Sequence, residues 1–333
     1  MPLVEGNNNV YDSELNRELS EYFTIDDGQI YDRSGFPWTI WRLDAIEAWW
    51  MFFEETIGLP MGRKLANAAC DEEEFLTMTG ELLKKGLFKE RKMRNSIVKR
   101  WRLHGWGQPI FTPYGAEDSL YVPISAGILQ ADIERIKSKR YRMRWEEKGS
   151  GSFRMILDHS DLPVQPSKQA LENRIPKNGD FSFEIESGWK IDGQRSCLLP
   201  LGLFTRLVKF SEGIICAIDA DERNSWIGLS EGALAMAISS KKLFIAGEEV
   251  FLAIDSEGWL ESANELLRKR GIGAISKLSI IDEHGGISVE FKERPSPFEI
   301  GLIAGAWTRC EGRPVKVNWT ENVAVYSSRH NLA

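Results

Sequence analysis

The pattern in this sequence with the clearest chemistry is a segment in which arginine alternates with apolar, mostly aromatic residues. Arg140, Arg142 and Arg144 alternate with Tyr, Met and Trp residues, so a strand would place the three guanidinium groups side by side on one face. Guanidinium groups pair with phosphates, and aromatic rings stack on bases. The sequence therefore predicts a phosphate-binding or nucleic-acid-binding surface, to which we add Arg100 and Arg102 from the same basic stretch.

The distribution of charge leaves a second interpretation of these arginines open. Residues 1–83 contain 5 basic and 17 acidic side chains, whereas residues 84–154 contain 17 basic and 7 acidic ones. Neighbouring stretches of opposite sign can neutralise each other within one chain. The whole chain has a net charge of −7, so the molecule as a whole is not built to coat nucleic acid.

Residues typical of catalytic and metal sites are scattered. The four cysteines form no closely spaced pair, which argues against zinc and redox motifs and for reduced thiols. We interpret His104, His159, His284 and His330 as solvated polar residues, and the acidic run 71–74 as a charge cluster at a helix start or a solvated helix face. No catalytic residue, metal site or cofactor is indicated. An enzyme stays open only through isolated acids, which are Asp282, Glu290 and Glu299.

Aromatic residues predict a different kind of site. The chain has 12 Trp, 16 Phe and 7 Tyr, and several of them between residues 38 and 53 follow the spacing of one helix face. Such a face belongs either to the core or to the wall of an apolar pocket. From it we predict binding of a small hydrophobic ligand. The predicted ligand-binding residues are Trp41, Trp49, Phe53, Phe204, Gly301, Gly305 and Trp307.

Two glycines in this set have two explanations. Gly301 and Gly305 are one helical turn apart, so one helix face lacks side chains there. Either a second backbone or a flat ligand can approach such a face closely.

The helices and strands that must position these residues are predicted to form two similar halves of the chain. Residues 158–188 are rich in Pro, Ser, Asn and Gly, which is typical of a linker. We therefore predict domains at 1–157 and 189–330. The expected fold class is α+β, with an antiparallel sheet and helices on one of its faces in each half, folded around a separate interior. Such a division is what duplication of one unit would leave.

Similar patterns recur in the same order in both halves. A helix ends on Gly105 in the first half and on Gly271 in the second, each followed by a second glycine two residues later. Strands are predicted at 120–125, and at 275–281 and 287–291 around Gly285-Gly286. Helices follow at 127–138 and 298–311, then closing strands at 140–145 and 315–319. Residues 36–41 and 199–204 are each expected to open an amphipathic helix.

The second half resembles the 4-vinyl reductase (V4R) family of small-molecule-binding domains, which have a Bet3-like fold. The matching stretches lie within residues 265–321, at 266–273, 286–291, 296–305 and 312–317. They include the Gly-x-Gly turn, the Ser-Pro before a helix with Gly-x-x-x-Gly, and the final strand. The resemblance implies a domain that holds a hydrophobic or tetrapyrrole-like ligand as a sensor. Family members often carry cysteines in and after the final strand, where this chain has Trp319, Thr320 and Glu321.

The remaining expectations concern location and assembly. The first ten residues lack the basic start and apolar stretch of a secretory signal. The apolar runs are too short to span a bilayer. We therefore expect a cytoplasmic protein without a membrane span. A homodimer is compatible with the sequence.

Overall fold

Residues 11–78, 89–149, 151–161, 167–177 and 179–330 are described by the computed structural model of the chain, which is an α+β protein, as the sequence predicts. None of the helices in these ranges combines the length and the apolar character needed to cross a membrane. The helices are α1 (Ser13–Tyr22), α2 (Leu43–Ile57), α3 (Gly62–Met78), α4 (Lys89–His104), α5 (Val122–Lys137), α6 (Leu201–Ser211), α7 (Ala220–Asn224), α8 (Glu231–Ala246), α9 (Ser256–Arg268) and α10 (Pro297–Glu311). The strands are β1 (Phe23–Asp26), β2 (Gln29–Asp32), β3 (Pro37–Arg42), β4 (Gln108–Phe111), β5 (Tyr114–Glu117), β6 (Arg140–Gly149), β7 (Ser152–Ser160), β8 (Lys190–Ile191), β9 (Gln194–Pro200), β10 (Trp226–Ile227), β11 (Ile275–Ile280), β12 (Ile287–Phe291), β13 (Val315–Thr320) and β14 (Val323–Ser328).

The central sheet is built from both halves of the sequence. Its strand order is β1-β2-β3-β9-β8, and β3 lies antiparallel to β9 with Trp41 opposite Cys197. Four consecutive residues of β3 and five of β9 are buried, so both strands are covered on their two faces. The halves are therefore joined through the middle of a sheet.

Each half also contributes an outer sheet. The first has the order β4-β5-β7-β6, and the second has the order β11-β12-β14-β13, extended by β10. In both, one helix separates the two hairpins, α5 in the first sheet and α10 in the second. This common order supports a duplication, which stays a prediction.

The halves exchange contacts across the central sheet. Helix α2 packs on α8, and α6 packs on α3. Beside the first Gly-x-Gly turn, Trp106 Nε1 donates a hydrogen bond to Leu198 O at 2.7 Å. Beside the second, Thr39 Oγ1 donates to Arg270 O at 2.9 Å. The buried apolar side chains form one cluster that spans both halves. The expected separate interiors are therefore wrong, because each half covers a strand of the other.

Several local predictions are confirmed. The helix expected at 298–311 is α10, and the closing strands are β6 and β13. Helix α10 begins with Ser296 as N-cap and Pro297 in the first turn, and the N–H of Ser296 donates to Glu299 Oε2 at 2.7 Å. Gly285 has a φ of 81° in the turn between β11 and β12, a conformation that glycine adopts without strain.

Other local predictions are wrong. Residues 120–125 are not a strand, because the chain enters α5 at Val122 with Pro123 in its first turn. The hairpin lies earlier, in β4 and β5. Trp38 and Trp41 lie on β3 rather than on a helix, and residues 199–200 end β9. A strand that is buried on both faces does not alternate between apolar and polar residues. The spacing of its aromatic residues can therefore match that of a helix face.

The described part of the predicted linker packs against the first half and also contacts the second, where Arg174 pairs with Glu293. Strand β7 continues to Ser160 and includes the first three residues of the segment. The buried Ile185 donates its N–H to Asn16 Oδ1 at 2.9 Å. Arg174 pairs with Asp26 at 2.9 Å. The boundaries at 157 and 189 stay a prediction.

Candidate functional site

Five aromatic rings meet where the two halves join. Trp41 comes from β3, Trp49 and Phe53 from α2, Phe204 from α6 and Phe298 from α10, and we call these five residues the junction cluster. The Trp41 ring stacks on Phe204 with centroids 5.4 Å apart and lies 4.8 Å from Phe298. Trp49 stands edge-on to Trp41 and Phe204, 5.6 Å from each. Four of the seven residues predicted for a hydrophobic site are thus brought together.

The two indole N–H groups of the junction cluster have different surroundings. Trp49 Nε1 donates to Ser240 Oγ at 3.2 Å. Trp41 is 4% exposed, and its Nε1 has no hydrogen-bond partner among the described residues. A buried donor without an acceptor costs about 1–3 kcal/mol. The Trp41 N–H is therefore the point at which a bound molecule would gain a hydrogen bond.

Phe298 is the member of the junction cluster that the site prediction missed. Its position after Pro297 marks a helix start, and the sequence shows that much. Its contact with Trp41 joins opposite halves of the chain. A pattern within one element carries no signal for such a contact.

Gly301, Gly305 and Trp307 lie further along α10 than Phe298 and are not members of the junction cluster. A Cβ on Gly301 would stand 2.1 Å from Ala237 O, and a Cβ on Gly305 would also meet α8. Both glycines therefore let α10 approach α8 closely. Of the two explanations for them, a second backbone or a flat ligand, this is the first. Trp307 Nε1 donates to Gly285 O at 2.7 Å and ties α10 to the turn between β11 and β12.

A buried carboxyl follows Phe298 in the chain. Burial raises the pKa of Glu299 to about 8, so at neutral pH the side chain holds its proton more often than not. Its Oε2 accepts the N–H of Ser296 at 2.7 Å. The first turn of α10 thus places a largely neutral acid next to a ring of the junction cluster.

Two of the arginines predicted to bind phosphate are held by carboxylates. Arg100 pairs in bidentate fashion with Glu73, at 2.7 and 2.8 Å. Arg140 pairs with Glu74 and Glu134, each at 2.6 Å. Glu73 and Glu74 belong to the acidic stretch before residue 84, as charge pairing within the chain predicts.

The other three arginines are more exposed to solvent than Arg100 and Arg140. Arg102 and Arg144 pair with different carboxylates. Arg102 stands 3.7 Å from two carboxylates of α1. Arg144 pairs with Asp158 on the neighbouring strand at 3.1 Å. Arg142 is exposed on β6, which is the edge strand of its sheet. Three of the five arginines therefore face solvent, and of these Arg142 and Arg144 lie on one strand.

Two interpretations of polar residues as solvated are wrong. Glu72 is buried in the acidic run of α3 and pairs with Arg206 of α6 at 2.7 Å. His104 is also buried, and its ring stacks at 4.5 Å from Trp106 and 4.7 Å from Trp38. Burial, assisted by the nearby Arg100, lowers the pKa of His104 well below its usual range. Each burial includes a partner that is distant in sequence, Arg206 for Glu72 and Trp38 for His104.

The described residues offer little for metal or redox chemistry. Cys70, Cys197, Cys216 and Cys310 are free thiols, of which only the last is exposed. Within the described ranges, no three His, Cys, Asp or Glu side chains are grouped so that they could hold a metal ion. Comparisons of the chain with protein-family models, with curated proteins and with solved structures found no match.

Proposed function

We propose that this protein binds a small hydrophobic ligand at the junction cluster, in a sensory or regulatory role and without catalysing a reaction. The observation that carries the proposal is the buried Trp41 N–H, which has no acceptor among the described residues. Ligand sites are mainly apolar, with a few polar groups that orient the ligand. The ligand expected here has an apolar body and one hydrogen-bond acceptor.

The position of the junction cluster supports a regulatory role. Its rings are in mutual contact, with centroids 4.8–5.6 Å apart around Trp41, so a ligand must separate rings to reach the N–H. These rings belong to α2, α6, α10 and β3, and α2 and α6 each pack on a helix of the other half. A ligand shifts a conformational equilibrium by the difference of its affinities for the two states. Binding would therefore alter how the halves sit against each other.

Membership of the V4R-like family and a cytoplasmic location belong to the same proposal. In the second half, α9, β11, β12, α10 and β13 follow one another in the order that the resemblance implies. The four free cysteines are usual in a compartment that keeps thiols reduced.

A pair of matched probes tests the proposal. Acetophenone and ethylbenzene share a phenyl ring and a two-carbon chain, but only acetophenone has an acceptor oxygen. Because a ligand that binds the folded state raises the unfolding temperature, we expect a larger rise with acetophenone than with ethylbenzene. In Trp41→Phe the two probes should act alike, whereas Trp49→Phe, the matched control, should keep the difference. Equal rises in the wild-type protein would contradict the proposal.

A second candidate function rests on the solvent-facing arginines of β6. Arg142 is exposed, and the side chain of Arg144 is 63% exposed. We propose that these two contact phosphates of a single-stranded nucleic acid. Affinity for an oligonucleotide should then fall steeply as salt rises and should fall in the double variant Arg142→Ala/Arg144→Ala. An affinity that is equal in the variant would exclude this candidate.

A further inference from the structure

We propose a second ligand site, for a small aliphatic carboxylate, in a cleft between residues 217–222 and the side of α8 that carries Ile238, Lys241 and Lys242. The cleft has a volume of about 290 Å³. Its apolar lining includes Ile218 and Ile238, and its charged lining includes Lys241 and Lys242. None of the residues that line it belongs to the junction cluster, so this site is separate from the one proposed above.

The amine of Lys241 is fixed at the wall of the cleft. Its Nζ lies 2.5 Å from Glu222 Oε1 and 5.5 Å from the ring of Trp226. Glu222 is itself held, because it accepts a hydrogen bond from Trp226 Nε1 at 3.0 Å and pairs with Arg329. An ammonium group has three N–H donors, and in the described chain Glu222 takes one of them. Two donors are left for a molecule in the cleft.

The local charge favours an anion over a cation. Lys241 and Arg329 share the single carboxylate of Glu222, which leaves one positive charge in excess. Burial opposes ionisation of Glu222, but the neighbouring Lys241 ammonium lowers its pKa to about 2, so the carboxylate stays charged. Lys242 is neutralised by a carboxylate of α2 at 3.0 Å. Asp219 lies exposed at the rim, where water screens its charge.

The rest of the lining sets the size and polarity of the ligand. The two remaining N–H donors of Lys241 match one carboxylate group better than a doubly charged phosphate, because Asp219 and Glu222 already place negative charge in the lining. Ile218, Ile238 and Ala217 offer apolar contact and no hydrogen-bonding side chain, which suits an alkyl chain rather than a hydroxylated one. The volume is at the lower end of the range for small-molecule sites, so the chain must be short.

Calorimetric titration of the whole protein with sodium valerate tests this site. Valerate should bind and give a measurable heat, whereas 1-pentanol, which has the same chain length without the carboxylate, should not. The variant Lys241→Met keeps most of the side-chain length but loses the ammonium. It should weaken valerate binding about tenfold or more, the usual effect of losing a charged hydrogen bond. The matched control Lys269→Met changes an exposed lysine directly after α9 and should bind valerate like the wild-type protein.

Two results would overturn this proposal. One is equal binding of valerate and 1-pentanol, or no binding of either, by the wild-type protein. The other is an unchanged affinity for valerate in Lys241→Met, with the fold of the variant verified by its melting curve. Because the comparison of valerate with 1-pentanol needs no variant, it decides the matter even if Lys241→Met does not fold.

Discussion

At the scale of single residues, the surroundings of the polar groups decide what they do, and sequence patterns show little of them. Glu72 and His104 look like surface residues in the sequence but are buried, because α6 and the tryptophans of other elements cover them. Four of the aromatic residues predicted for the ligand site lie together in the junction cluster. Their hydrogen bonds were not predictable, since the acceptor of Trp49 is Ser240, in the other half.

Replacement of Glu299 by Gln should change how stability depends on pH. Burial raises the folded-state pKa of Glu299 to about 8, whereas an unfolded glutamate titrates near 4.3. Between these two values the folded state holds a proton that the unfolded state has lost, so this residue lowers the free energy of unfolding as pH rises, by roughly 1 kcal/mol per unit. Gln does not titrate and still offers an oxygen to the N–H of Ser296.

Urea unfolding between pH 5 and pH 9 measures this effect. Glu299→Gln should gain stability relative to the wild-type protein as pH rises to about 8 and should show a constant difference above that. A difference that does not vary with pH would mean that Glu299 is not a buried acid in the folded protein.

The two tryptophans of the junction cluster should respond differently to substitution by phenylalanine. Both variants lose ring volume, but Trp49→Phe also breaks the hydrogen bond to Ser240, whereas Trp41→Phe removes a buried donor that lacks a partner among the described residues. Trp41→Phe should therefore be the less destabilising variant, by about 1–3 kcal/mol. Chemical denaturation compares them directly, and an equal or larger loss at Trp41 would show that its N–H is satisfied.

At the scale of elements, prediction succeeded where one element carries its own signals. The start of α10 has a capping serine, a proline and an acid within four residues, and the β11–β12 turn has two glycines. It failed for β3 and β9, because strands buried on both faces carry no alternation. The small residues of α10 indicated that another backbone could pack closely on this helix. The sequence did not show that this partner is α8.

Substitution of Gly301 by Ala tests the close approach of α10 to α8. The new Cβ would stand 2.1 Å from Ala237 O, so a helix must shift, and such overpacking typically costs 1–3 kcal/mol. Gly62→Ala is the control, because its Cβ would meet only Pro123 Cγ at 4.0 Å and alanine favours helix. Thermal unfolding should show a clear loss for the first variant and none for the second. Similar behaviour of the two variants would contradict the close packing.

At the scale of the whole molecule, both parts of the sequence contribute to one buried apolar cluster. Helix α10 and the closing strands β6 and β13 could be predicted from the sequence because caps, turns and periodicity mark them. The exchange of contacts could not, because it depends on β3 pairing with β9 and on helices packing across the central sheet. The expected separate interiors overlooked that helices of each half also contact the central strand of the other, since α2 contacts β9 and α6 contacts β3.

This arrangement predicts that the halves unfold together. Gly127→Ala places a Cβ 2.0 Å from Ala66 O, within the first half. Because the apolar core is continuous, the loss of stability should raise hydrogen exchange in α10 as much as in α5 under conditions of global unfolding. Mass spectrometry of peptides from both helices measures this. Faster exchange confined to the first half would show that the halves are independent.

The most direct test of the junction cluster as a ligand site is the indole resonance of Trp41 in the ¹⁵N-labelled protein, assigned by its loss in Trp41→Phe. Addition of acetophenone should move this resonance in the direction of a newly formed hydrogen bond, and ethylbenzene should not. The indole of Trp106, which already donates to Leu198 O at 2.7 Å, should stay unshifted with both probes. A Trp41 resonance that acetophenone leaves unchanged at saturating concentration would contradict the proposed site.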